Sequence, residues 1–249
     1  MRALVLSGGG MFGAWQAGAW AALAPSWQPE LIVGASVGSL NGYAIASGAD
    51  PATLSELWRR KPGEKFGDFS AGLCALVERY RPRLDFAVVA TDILRMKARI
   101  FRGGEVDWRH LAASCAVPFV YRPMRIEGRL YVDGGLLNPL PAWAAVELGA
   151  TEILALHALP EIPSWWLKPP ALAFRRLFGV NPPLPPRVSC KVVLPSRRLG
   201  SMRDALHWNR DNVERWLEQG YRDAIAAIPP RGPKEEPDSA RILRQGLRL

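Results

Sequence analysis

Short aliphatic runs recur along the chain: Ala3-Leu4-Val5-Leu6, Leu31-Ile32-Val33, Phe86-Ala87-Val88-Val89, Leu130-Tyr131-Val132, Ile153-Leu154-Ala155-Leu156 and Val192-Val193-Leu194. They are continuous rather than alternating, as strands buried on both faces require. The longer stretches between them predict helices over 11–24, 37–48, 51–60, 70–80, 107–115, 139–148 and 202–228. In the last, Leu206, Val213, Leu217, Tyr221, Ala224 and Ile228 share one stripe, while Arg210, Arg215 and Glu218 fall elsewhere. That helix is expected to pack against the sheet. Strands alternating with helices imply an α/β fold of three layers, a mainly parallel central sheet flanked by helices.

Residues 1–228 read as a single domain, with two segments that break the rhythm. Between 160 and 187, eight prolines interleave with Trp165, Trp166, Leu172, Phe174, Leu177 and Phe178, and with Lys168, Arg175 and Arg176. This excursion reads either as a covering packed over the domain or as a lid or membrane-contact loop, since Trp suits the lipid interface and cations suit anionic headgroups. Residues 229–249, opening on Pro229-Pro230-Arg231-Gly232-Pro233, read as a flexible basic tail.

The chain has 249 residues, 49% of them hydrophobic and 22% charged, enough for a sizeable core. A net charge of +9 points to an anionic partner, among which nucleic acid, a phospholipid surface and an acidic substrate are all open on charge alone. Cys74, Cys115 and Cys190 stand far apart with no histidine at ligand spacing, which suggests reduced thiols and neither a zinc site nor a disulfide framework. Met1-Arg2 leads into an apolar run that reaches glycine by Gly8, too short for a signal peptide. No apolar run approaches the roughly 20 residues that span a bilayer. The expectation is a cytoplasmic protein that contacts a membrane surface peripherally.

Candidate chemistry gathers at the carboxyl ends of three predicted strands, where open parallel sheets collect their ligands. After the first comes Ser7-Gly8-Gly9-Gly10-Met11-Phe12-Gly13, a glycine-rich loop leading into a helix whose first N–H groups favour negative charge. Gly8, Gly10 and Gly13 also satisfy G-x-G-x-x-G, so a nucleotide-binding oxidoreductase is a rival. That rival needs an acidic residue after the second strand, yet Glu30 precedes the strand and Gly34-Ala35-Ser36 ends it. Gly34-Ala35-Ser36-Val37-Gly38 is itself a G-x-S-x-G between strand and helix, the setting of a nucleophile elbow. Asp133-Gly134-Gly135 follows the fourth run. Together the three supply a nucleophilic hydroxyl (Ser36), a carboxylate to take its proton (Asp133) and a donor loop (Gly8, Gly9, Gly10, Met11, Gly13) for an oxyanion. Of the histidines, His110 and His207 fall in helical stretches and His157 near a strand end, which leaves a Ser36-His157-Asp133 triad as a mechanistic alternative.

These motifs, in this order, resemble those of the patatin-like phospholipases. Gln16-Ala17-Gly18, Ala90-Thr91-Asp92, Ala113-Ser114-Cys115-Ala116-Val117-Pro118 and Leu136-Leu137-Asn138-Pro139-Leu140-Pro141 extend the resemblance over residues 1–158. It implies a lipid acyl-ester hydrolase of the phospholipase A or lysophospholipase kind. Ser36 would be the nucleophile, Asp133 its base in a Ser-Asp dyad, and Gly34, Gly38, Gly134 and Gly135 the motif glycines. No metal or organic cofactor is implied. Lipid or phospholipid esters would be the substrates, and no nucleic acid a partner. A catalytically silent membrane-associating protein of the same fold is a further alternative. The family's loop usually carries Arg or Lys before its last glycine, where this chain has Phe12.

Overall fold

Successive residues of the apolar runs feed two different cores. Leu4, Leu6, Ile32, Phe86, Val88, Leu154 and Leu156 face one side of the sheet. Ala3, Val5, Leu31, Val33, Ala87, Val89, Ile153 and Ala155 face the other. The period-two geometry of a strand spends the residues of these runs on burial, whereas Val192 and Leu194 of the last run are exposed, because β8 (Ser189–Val193) is an edge strand. The computed structural model describes residues 1–60, 66–161, 173, 176–179 and 182–228. Most of the Pro/Trp-rich excursion, including Trp165 and Trp166, and all of the basic tail lie outside the described residues.

The eight described strands are β1 (Arg2–Leu6), β2 (Leu31–Ala35), β3 (Asp85–Asp92), β4 (Lys97–Arg102), β5 (Met124–Ile126), β6 (Arg129–Val132), β7 (Glu152–Leu156) and β8 (Ser189–Val193). The described helices are α1 (Gly13–Leu23), α2 (Val37–Ala46), α3 (Pro51–Arg59), α4 (Phe66–Arg79), α5 (Trp108–Ser114), α6 (Ala142–Glu147), α7 (Met202–Leu206) and α8 (Arg210–Ala227). β8, β7, β1, β2 and β3 are parallel neighbours in that order. β4 and β6 then pair with β3 antiparallel, and β5 pairs with β6. The larger core lies between the sheet and α1, α2, α5 and α8, and the smaller one under α6.

Several sequence expectations change. β4 and β5 carry no continuous apolar run. β4 is a basic edge strand reading Lys-Ala-Arg-Ile-Phe-Arg, and β5 has only three residues. The helix expected over 202–228 is two helices, because the Asn209 side chain accepts the Asn212 N–H at 2.9 Å and starts a new one. Its expected stripe is also redrawn: Val213, Trp216, Leu217, Gly220 and Ala224 are buried, whereas Leu206 and Tyr221 are exposed.

α8 packs chiefly against α1 rather than the sheet. A Cβ on Gly18 would stand 2.0 Å from the Leu217 carbonyl oxygen, and one on Gly220 would stand 2.0 Å from that of Trp15, so the two backbones touch. Buried Asp223 seals the crossing by accepting the Trp15 indole N–H at 2.8 Å and the Ser196 hydroxyl.

Candidate active site

Strand register explains how residues a hundred apart in the chain converge. β4 occupies one edge of β3 from Ala87 to Asp92. β2 and β6 must therefore share the other edge, β2 pairing up to Ala35 with Val89, and β6 ending with Val132 opposite Thr91. The two strands run toward each other along that edge and stop with only Ala90 between their last partners. The next residues in each chain direction are Ser36 and Asp133, both buried, with 6% and 7% exposure.

Ser36 has φ 53° and ψ −132°, in the left-handed region that a side chain rarely adopts. Strain of this kind costs about 1–3 kcal/mol and persists only where the surroundings over-determine it. Here they do. The Ser114 hydroxyl accepts the Ser36 N–H at 2.8 Å and donates to the Val89 carbonyl at 2.7 Å. Ser39 closes the other side, its hydroxyl donating to the Ser36 carbonyl at 2.6 Å. Gly34 and Gly38 leave room for the turn: a Cβ on Gly34 would meet the Gly38 oxygen at 2.4 Å, and one on Gly38 the Leu6 oxygen at 2.3 Å.

The segment Ser114-Cys115-Ala116 is also the strap that holds Asp133. Asp133 donates its N–H to the Ala116 carbonyl at 3.0 Å, and Gly134 donates to the Ser114 carbonyl at 3.2 Å. Thr91 donates its hydroxyl to the Asp133 carbonyl at 2.9 Å. Asp133 Oδ1 accepts the Gly135 N–H at 2.7 Å, and a Cβ on Gly134 would strike the Val89 oxygen at 2.0 Å. The Cys115 thiol sits among Ser36, Ser39 and Asp133; burial first, and the Asp133 charge second, push its pKa far up, so it stays neutral.

The glycine-rich loop lies over this pair. A Cβ on Gly8 would stand 3.3 Å from that of Ser36 and 4.0 Å from the Gly135 Cα. Gly8 donates to the Pro139 carbonyl at 2.9 Å, which ties the loop to the segment trailing Asp133, and the Gly13 N–H turns back to Gly10 and Met11. The N–H groups of Gly9, Gly10 and Met11, at the head of a 3-10 turn, donate to no group among the described residues. A buried relay fixes the loop from beneath: Trp58 donates to Asn41, Asn41 to Gln16 and Gln16 to the Ser7 carbonyl, at 2.9, 3.0 and 2.8 Å. Phe12 points away from the site. Its ring is buried edge-on against Trp216, with centroids 5.1 Å apart.

The remaining candidates are placed elsewhere. His157 follows β7, on the far side of β1 from Ser36, with its backbone N–H on the Val193 carbonyl. His110 packs on Phe101 and bonds Asp107 within the α5 cap, and His207 bonds the Arg203 carbonyl. Glu30 binds the Arg2 N–H at the opposite end of β2 from the loop, so the carboxylate a ribose site needs is absent from the end of that strand. Among the described residues no three His, Cys, Asp or Glu side chains converge to hold a metal ion. Ser39, Asn41 and Trp58 were not signalled by any motif. Thr91, Ser114 and Cys115 were visible only as parts of short matches; their one physical signal is a polar side chain inside an apolar stretch.

A family model described as patatin-like phospholipase matches residues 4–104 and 105–146. An uncharacterised NTE family protein of Mycobacterium tuberculosis is 34% identical over 109 residues, covering 39% of this chain and 30% of that one. The lysophospholipase nte1 of Aspergillus terreus is 28% identical over 178 residues, covering 61% of this chain and 12% of that one. The chain thus spans less than a third of the length of these curated relatives. Among solved structures, VipD from Legionella pneumophila superposes with a TM-score of 0.52 at 11% identity, over 91% of this chain and 66% of that one, which shows a shared fold. On the family match, which spans more than half of its length, the chain belongs to the patatin-like phospholipase family.

Proposed function

We propose that this chain hydrolyses carboxylic ester bonds of lipids through an acyl-enzyme on Ser36, with Asp133 as the base. The observation that carries the reading is the meeting of β2 and β6 on one edge of β3, which sets a strained serine and a buried carboxylate at the level of one residue. In the first half-reaction Ser36 Oγ attacks the ester carbonyl carbon while its proton passes to the Asp133 carboxylate. The carbonyl oxygen, now an oxyanion, is held by the N–H groups of Gly9, Gly10 and Met11. Collapse breaks the bond to the alcohol oxygen, which takes the proton from Asp133 and leaves. Water then repeats the sequence on the acyl-serine, releasing a fatty acid and restoring Ser36.

An aspartate with an ordinary pKa near 3.9 is a weak base for a hydroxyl, so the reaction leans on close approach, exclusion of water and a pre-set oxyanion cradle. The straps through Ser114 and Ala116 support that division of labour, since they fix both partners before substrate arrives. Lipid esters as the substrate class are supported by the family and by the relative named a lysophospholipase. With a soluble short-chain ester, Ser36→Ala and Asp133→Asn should each lower kcat by about 10³-fold or more without a change in Tm. Activity within tenfold of wild type in either variant rejects the assigned roles.

A further inference from the structure

We propose that the rim built from residues 93–97 and 117–129 is a docking face for a bilayer surface rich in anionic phospholipid. It rests on the hydrolase reading for its purpose, delivery of lipid to Ser36, but the docking itself needs no turnover.

Position comes first. The rim stands at the same end of the sheet as Ser36 and Asp133. One loop follows Asp92 at the end of β3. The other starts where the Ala116 carbonyl meets the Asp133 N–H and rejoins the sheet at Met124, opposite Tyr131. Tyr131 pairs in turn with Asp92, while the Ile126–Arg129 pair lies two residues further on, so the β5–β6 hairpin projects past the end of β3.

The rim holds apolar side chains in water. Phe119 is wholly exposed, Leu94 is 79% exposed and Val120 46%. Both loops are held rather than loose. Asp92, itself buried, accepts the N–H groups of Leu94 and Arg95 at 3.2 and 3.1 Å, and the Val117 carbonyl accepts those of Val120 and Tyr121 at 3.1 and 2.9 Å. Phe119 is thereby fixed at φ 69°, an outlier for a bulky residue. Among the described residues the non-glycine positions with positive φ are Ser36, Met96, Phe119 and Glu127, so all but the nucleophile lie in this rim.

Charge selects the occupant. Arg95, Lys97, Arg122, Arg125 and Arg129 are exposed in the same segments; Arg95 and Arg129 lie 3.4 and 3.9 Å from the Asp92 carboxylate, and Glu127 is the acidic residue of the two segments. Apolar side chains in segments that also carry cations match the boundary between acyl chains and anionic headgroups. A second copy of this face would bring like charges together, which disfavours self-association through it.

The test uses the full chain carrying Ser36→Ala, so that vesicles stay intact. It should float with vesicles of mixed phosphatidylglycerol and phosphatidylcholine, far less with phosphatidylcholine alone, and less as salt rises. Leu94→Ser/Phe119→Ser and Arg122→Glu/Arg125→Glu should each cut bound protein about tenfold or more. Because either pair could disturb folding, hydrogen exchange on the unsubstituted rim gives a second reading: amides of 93–97 and 117–123 should gain protection on anionic vesicles. Unchanged binding in both pairs, protection confined to other segments, or a solution dimer that Leu94→Ser/Phe119→Ser splits would overturn the proposal. Docking without any ester turnover by the unsubstituted chain would sink the hydrolase reading and leave the face. Turnover of soluble esters without docking would do the reverse.

Discussion

In the parallel half of the sheet, β1 and β2 are buried on both faces and end in glycine-bearing turns, one giving the donor loop and the other Ser36. In the antiparallel half, β4 to β6 are partly exposed and basic, β5 and β6 are short, and together they bring only Asp133. The first half holds Ser36 in a strained turn at the end of a buried strand. The second brings Asp133 toward it because β6 runs the opposite way along the same edge and stops short of β2. A parallel strand there could not have aimed its carboxyl end at Ser36.

The contrast can be tested by perturbing each half and the helices behind them. The largest effect is expected from Phe12→Arg, which restores the family's usual charge to the donor loop. Since Phe12 packs edge-on against Trp216, the guanidinium would be buried without a partner. The cost should be about 3–5 kcal/mol, read as a large fall in Tm with no gain in turnover. A faster enzyme of unchanged Tm would show that the loop can turn Phe12 outward.

Next is Ser114→Ala, which removes the acceptor of the Ser36 N–H and the donor to Val89 while leaving the strap to Asp133 in place. It should lower kcat about 10- to 100-fold with KM nearly unmoved, because it loosens the nucleophile and touches no substrate. Ser114→Thr, which keeps the hydroxyl, should recover part of the loss. A change confined to KM would place Ser114 in substrate binding instead.

The smallest effect is expected far from the chemistry. Gly18→Ala would force a Cβ against the Leu217 carbonyl and part α1 from α8, costing about 1–3 kcal/mol in chemical denaturation and leaving kcat per folded molecule unchanged. A fall in kcat without loss of stability would mean that the helix crossing reaches the donor loop, through Phe12 and Trp216.

What could be read from the sequence follows the same division. Continuous apolar runs gave the parallel strands, and G-x-S-x-G after such a run marked Ser36 because a nucleophile elbow needs strand, small residues and helix in that order. Asp133-Gly134-Gly135 was visible as a motif, but the direction of its strand was not. β4 lies at an edge as Lys-Ala-Arg-Ile-Phe-Arg, and β5 is too short to carry a period. The strap was hidden for a different reason: Ser114 bonds a residue 78 positions away, and no local pattern encodes such a pair. The absence of a basic residue at Phe12 was plain. That Phe12 fills the core against Trp216 depends on where α8 crosses α1, a tertiary fact.

The decisive measurement is the rate and site of fluorophosphonate labelling, followed by intact mass and peptide mapping in the wild type and in Asp133→Asn. If β2 and β6 set a working pair, the label is on Ser36 and forms about 10³-fold more slowly in Asp133→Asn, with both proteins folded alike. A label on another serine, or wild-type speed without the Asp133 carboxylate, would contradict the account.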